Sequence, residues 1–231
     1  MIVADGFVFL HLHKSGGTFA NEALLKHAAG ARAVGYHLPA RLIPPAARHL
    51  PVLGLVRNPF GYYVSWYSYQ QQRPRPNALF RVLSDEGRLD FAVTLHRMLD
   101  LGRDDALLDR VLAALPRDYG AQGLNLPGFA LAPIRGTGLG FYAWLYGYLY
   151  DGATGPLHVG RMEDLPRSLL DLLDAAGVPA TPALRAHLAG SPPRNRSTHA
   201  DHRHYYDAAL RARVEAQDGA LLARHGYRFE A

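Results

Sequence analysis

No cysteine occurs among the 231 residues, so the chain can form neither a disulfide nor a thiolate metal site. That absence fits a reducing compartment, and a cytoplasmic protein is expected. No apolar run approaches the ~20 residues a membrane-spanning helix needs, so no transmembrane segment is expected. The run at residues 7–12 is too short for the core of a signal peptide, and no basic residue precedes it, so no secretory leader is expected. Internal repeats and low-complexity tracts are also lacking. Lys and Arg outnumber Asp and Glu by 25 to 20, a net charge of +5. That excess suits a polyanionic ligand, a nucleic acid or an anionic surface equally, and selects none of them. Hydrophobic residues make up 48% and charged residues 19%, ordinary for a globular chain, and residues 1–231 are expected to form one domain.

What is present concentrates in residues 7–25. Phe7-Val8-Phe9-Leu10 opens a short apolar run rich in Val and Phe, the pattern of a buried strand. Lys14-Ser15-Gly16-Gly17-Thr18 is a tight turn with two glycines, and Phe19, Ala20, Ala23 and Leu24 follow at helical spacing. A strand, glycine turn and helix present backbone N–H groups to an anion. The first N–H groups of a helix have no partner within it, and its dipole favours negative charge there. Gly16 and Gly17 let the backbone approach a phosphate closely. Lys14 adds a charge on a flexible stem, and Ser15 and Thr18 add hydroxyls. The kinase-type loop G-x-x-x-x-G-K-[ST] places its Lys after the last glycine. Lys14 precedes both glycines, which speaks against a kinase.

A second stretch repeats the plan. Val52-Leu53-Gly54-Leu55-Val56 reads as a strand with Arg57 at its carboxyl end, and Pro59 suits the first turn of a helix that carries Ser65 and runs to about Gln72. Ligands of an open α/β sheet bind outside the carboxyl ends of the strands. Two anion-binding elements are therefore expected at one sheet edge: Lys14 with its loop, and Arg57 with Ser65. Residues 32–39 read as a further strand stopped by Pro39, with His37 near its end, and residues 156–160 as the last strand. Helices are expected over residues 90–101, 105–115, 163–176, 182–188 and 202–224, with Gly177 as a C-cap. Residues 90–115 lack a strand signal and read as a helical insertion.

Together these stretches resemble the sulfotransferases that use 3′-phosphoadenosine 5′-phosphosulfate (PAPS). The resemblance rests on His11-Leu12-His13-Lys14-Ser15-Gly16-Gly17-Thr18 and on Arg57-Asn58-Pro59 with Ser65. Val159-Gly160-Arg161-Met162-Glu163-Asp164-Leu165 and the terminal His225-Gly226-Tyr227 support it, so it extends from Phe7 to Tyr227. It implies an α/β fold of three layers, a P-loop-like parallel sheet of about four to five strands flanked by helices. It implies that Lys14, Ser15, Gly16, Gly17 and Thr18 hold the 5′-phosphosulfate, that Arg57 and Ser65 hold the 3′-phosphate, and that a loop with Arg194, Arg196 and Ser197 closes over the nucleotide. The product is 3′-phosphoadenosine 5′-phosphate (PAP), no metal is expected, and the partner is a glycan or small hydroxylated acceptor rather than nucleic acid. The chain departs from the family at His13, where Pro is frequent, and at Gly61, where an acid is frequent. The first departure argues against an essential role for the His13 imidazole.

Transfer to a hydroxyl needs a base that works near pH 7, and His is the natural choice. His37 is the expected base, at the strand end where relatives place a His or Glu, with Lys14 as its catalytic partner on the leaving phosphate. His13 is the reserve, and His11 reads as a core histidine. His199, His202 and His204 lie close in sequence but have no acidic or Cys partner to complete a metal site. Residues 119–150 hold one charged residue, Arg135, and many aromatics. Their first half reads as a long loop and their second as a buried helix; most of the aromatics are expected in the core, with Phe129, Arg135 and Tyr142 offered as acceptor contacts. Two other readings remain beside the transferase: a small-molecule kinase, and a non-catalytic module for nucleotides or polyanions.

Overall fold

Five short strands form one sheet among the described residues: β1 (Ile2–Val3), β2 (Val8–Leu10), β3 (Arg32–Ala33), β4 (Val52–Val56) and β5 (Leu157–Arg161), in the spatial order β3-β1-β2-β4-β5. The structure is a computed structural model that describes residues 1–120, 123–190 and 198–230. β2, β4 and β5 are parallel, with Leu10 opposite Gly54 and Val56 opposite Arg161. The sheet as a whole is mixed, which corrects the expected all-parallel arrangement. β1 runs antiparallel to both β2 and β3. The cause is local: β1 and β2 are joined by a turn too short for a crossover, and only an antiparallel pair can be linked that way. Asp5-Gly6, a hairpin signal between two apolar pairs, marks that turn in the sequence. The expected strand at 32–39 is reduced to Arg32–Ala33, because β1 offers only Ile2 and Val3 to pair with, and the chain then bends at Tyr36 and His37.

The described residues fall into two compact units. The first takes Met1–Arg57 and the described part of Tyr146–Arg196; the second takes Asn58–Leu145 and the described part of Ser197–Ala231. In chain order the helices are α1 (Gly17–His27), α2 (Pro59–Gln71), α3 (Ala78–Leu83), α4 (Phe91–Asp100), α5 (Asp105–Ala114), α6 (Gly128–Leu131), α7 (Phe141–Tyr150), α8 (Leu165–Ala175), α9 (Pro182–Gly190), α10 (Ala208–Gln217) and α11 (Gly219–His225).

In the first unit, Ile2, Phe9, Leu53 and Leu55 line one face of the sheet. They pack with Ala20 and Leu24 of α1, Leu169 and Leu173 of α8, and Leu184 and Leu188 of α9. Alternation along each strand puts one set of side chains on this face. Burying one side chain such as Phe9 contributes about 2–3 kcal/mol. On β4, Tyr150 of α7 lies against Gly54, where any Cβ would meet its ring at 2.3 Å. The Tyr150 hydroxyl also accepts from the Leu55 N–H at 3.0 Å and donates to the Leu55 carbonyl at 2.9 Å. It serves main-chain groups one residue beyond the last β2–β4 pair.

In the second unit, α2 starts as its sequence dictates: Asn58 accepts from the Phe60 N–H, and Pro59 occupies the first turn. Asp90 and Asp104 cap α4 and α5 in the same way. α3, capped by Asn77, was not foreseen; at six residues its periodicity is too short to read. The expected long loop contains α6 and a following turn of 3₁₀ helix, Ala132–Ile134. The expected single helix at 202–224 is broken into a 3₁₀ turn, His202–Tyr205, and α10 and α11. Asp207 makes the first break by capping α10 through the Leu210 N–H. Asp218 makes the second. Its buried carboxylate accepts from the Tyr63 hydroxyl at 2.7 Å and from the Ala143 N–H at 2.8 Å, capping α7 from another part of the chain.

Candidate functional site

At Leu10 the chain leaves β2 and turns through residues 13–16 into α1. Lys14 and Gly16 both have left-handed backbone, φ 57° and 75°. That conformation is ordinary for glycine and costly for lysine, and such strain concentrates at functional sites. Gly16 is the N-cap of α1, no side chain caps that helix, and its first turn holds no acid. The first N–H groups of α1 thus lack a side-chain acceptor at the N-cap, and no acid offsets the helix dipole there. Lys14, Gly16 and Thr18 are half-buried, while Ser15 and Gly17 are buried. The Ser15 hydroxyl donates to the His13 carbonyl at 3.3 Å, a bond within the loop. Gly17 has a second reason to be glycine: a Cβ there would lie 1.7 Å from the His11 ring.

Arg57 follows the last residue of β4, and its Nη1 donates to the Lys14 carbonyl at 3.5 Å. Arg57 thus reaches the main chain of the Lys14 loop within the same unit. A further cation, Arg161, stands in the supporting stretch at residues 159–165, but sequence reasoning gave it no role. Arg161 ends β5, opposite Val56, and is exposed. The end of the last parallel strand was the signal that marked it. Its carbonyl accepts from the Ser168 hydroxyl at 2.6 Å, which ties the end of β5 to α8.

His37 lies in the bend after β3, again with left-handed backbone at φ 53°. Its Nδ1 is 2.6 Å from the His11 carbonyl. A carbonyl only accepts, so Nδ1 carries the proton and Nε2 carries the lone pair. The His13 ring stacks on the His37 ring with 3.6 Å between centroids and 15° between planes. His11 and Tyr36 pack at 4.2 Å each, tilted and edge-on. Burial holds His37 well below the ordinary histidine pKa, and the neighbouring His13 and His11 push it the same way. His11 is lowered likewise by burial and then by His13, and its Nδ1 is 3.2 Å from the Asn21 amide. His11 and His37 are therefore neutral imidazoles at pH 7, with one defined basic nitrogen on His37.

Ser65 is buried on α2, in the second unit. Arg194, Arg196 and Ser197 lie outside the described residues. Among the described residues, no group of three or more His, Asp or Glu side chains is placed to hold a metal ion. His202 Nε2 instead donates to the Phe229 carbonyl at 2.7 Å.

No protein-family model matches the chain, and no curated protein matches it significantly. What the site can do therefore rests on its own geometry. Of the three side chains offered as acceptor contacts, Tyr142 is fully buried and stacks on Tyr62 at 3.7 Å, so it is core. Arg135 pairs with Asp105 and Asp109 on the surface. Phe129 is 59% exposed, with its ring edge-on to Tyr119.

Proposed function

We propose that the chain is a sulfotransferase that moves a sulfuryl group from PAPS to the hydroxyl of a carbohydrate or other small acceptor. The observation that carries this reading is the meeting of Arg57 with the Lys14 loop beside the uncapped start of α1. PAPS is a polyanion whose two ends need separate cationic partners. Lys14 and the N–H groups of Gly16, Gly17 and Thr18 take the 5′-phosphosulfate, and Arg57 takes the 3′-phosphate. In the transfer, the acceptor oxygen bonds to sulfur as the bond from sulfur to the 5′-phosphate oxygen breaks. The acceptor proton passes to Nε2 of His37. Negative charge grows on the departing phosphate, where Lys14 and the helix N–H groups stabilise it. The depressed basicity of His37 keeps that nitrogen unprotonated at pH 7, so every molecule begins with the base in its working form. Among the described residues no helix is long and apolar enough to cross a membrane, and a cytoplasmic enzyme is the compartment this reading favours.

Ligand-induced stabilisation tests the reading. PAP should raise the melting temperature well above the shift given by ADP at the same concentration, with or without Mg²⁺, because only PAP carries the 3′-phosphate. Equal shifts would remove the 3′-phosphate assignment and return the kinase as the better reading.

A further inference from the structure

The transfer chemistry uses His37 and leaves His13 without a role, although the two rings lie face to face. The geometry points to His13 as a positioning residue that fixes the direction in which His37 presents Nε2. This rests on the reading of His37 as the base. The residue type was unpromising in the sequence, since the family often has Pro there, so the role belongs to this chain and its own packing.

The reasons are geometric. A single hydrogen bond from Nδ1 to the His11 carbonyl holds one atom of the His37 ring and leaves the plane free to turn about that bond. A parallel ring 3.6 Å away removes that freedom. His11 at 4.2 Å and Tyr36 at 4.2 Å close other sides, so Nε2 is left with one orientation. His37 also holds a left-handed backbone, which only its surroundings can maintain. The same stack excludes a shared metal. Imidazole lone pairs lie in the ring plane, and two nearly parallel planes aim them side by side rather than at one ion.

Charge adds to shape. Two imidazoles at this separation share one proton far more readily than they hold two, so their titrations are coupled. The groups facing His37 are His11 and His13 from the end of β2, Tyr36 from its own bend and the Met1 amino group before β1, whose pKa burial lowers to about 6. None is an acid. Among the described residues the His11 carbonyl favours a proton on His37, and burial and the neighbouring imidazoles outweigh it.

Imidazole NMR on the full chain, with two variants, tests this. In the wild-type protein His37 should be the Nδ1–H tautomer at pH 7. His13→Phe keeps a stacking ring and removes the competing proton-binding site. It should keep that tautomer and move the His37 midpoint upward by about one pH unit, tenfold in protonation. His13→Gln removes the ring and should populate both tautomers. In turnover, H13Q should lower kcat by about 10- to 100-fold, the cost of a reacting group held roughly 1 Å off line, with KM for PAPS unchanged. H13F should retain more of kcat than H13Q, with the acid limb of its pH profile moved to higher pH. A His37 tautomer and midpoint unchanged in both variants would overturn the proposal, whatever the protein transfers. If His37 responds as described while the wild-type protein moves no sulfuryl group from PAPS, His13 is upheld as the residue that positions His37 and the sulfotransferase reading falls instead.

Discussion

Two groups of buried ionisable side chains are alike in their desolvation and unlike in what their neighbours do with it. One is the set His11, His13 and His37 in the first unit; the other is Asp218 with Tyr63 in the second. Burial lowers the pKa of His11 and His37 and raises that of Asp218 and Tyr63. Burial lifts Asp218 from 3.8 to about 6, against the opposing pull of its bonds to Tyr63 and Ala143. Yet both Asp218 oxygens are engaged by donors that serve the fold, and one of them caps α7. The histidines stand beside a half-buried cationic loop with strained backbone at Lys14 and His37, and one ring nitrogen is held ready. Desolvation and a shifted pKa are common to both. Among the described residues, strained non-glycine backbone and an arginine that reaches a half-buried loop accompany only the first.

The comparison predicts that damage at the first group removes rate and damage at the second removes stability. The largest effect is expected at His37. His37→Ala should cost on the order of 10²–10⁴ in kcat, the usual worth of a general base, while PAP binding stays near normal; a near-normal rate would place the base elsewhere, and His13→Ala would be assayed next. Lys14→Ala should cost about 10²–10³ in kcat and also weaken PAP, since the ammonium touches ground and transition states alike. Arg57→Ala should abolish most of the margin by which PAP outperforms ADP in raising the melting temperature, and an intact margin would reassign the 3′-phosphate. Asp218→Ala should leave PAP binding unaltered yet lower stability by about 2–3 kcal/mol, because two buried donors lose their acceptor; calorimetry with and without PAP checks both halves.

The smallest effect concerns pH, where the two groups act with opposite sign. Histidines buried neutral lose stability for the fold as pH drops below 6.5, since the unfolded chain then binds more protons. Asp218, whose folded value is raised, does the reverse: it favours the folded state below 3.8 and loses that contribution as pH rises through about 6. Between pH 4 and 6.5 the two partly cancel. Asp218→Asn should therefore steepen the acid loss of stability over that range, and parallel denaturation curves for variant and wild type would contradict the assignment.

Much of this was legible in the residues themselves. The runs at Val8 and Val52, the glycine turn, Pro59 and the apolar spacing of α4, α5 and α8 each carry a local signal that tertiary structure had no reason to override. β1 was missed because two residues make no pattern, and the antiparallel half of the sheet was missed with it. The break at Asp218 was unreadable for a different reason: its partners, Tyr63 and Ala143, lie 155 and 75 residues away. The His13–His37 stack likewise joins positions that only the bend after β3 brings together. Local chemistry could offer His37 as a candidate, but could not show what packs against it.

The contact between Gly17 and the His11 ring restricts how this loop can change. A methyl at position 17 would overlap the imidazole by more than any small adjustment absorbs, since the ring atoms lie at 1.7 to 2.4 Å from where it would sit. With His11 exchanged for a smaller side chain, alanine at 17 meets no ring; with His11 in place, alanine at 17 forces the imidazole out of its position. The two sites are thus linked in space, and a library that varies the glycine turn while holding His11 fixed samples a much smaller set of foldable loops than its size suggests.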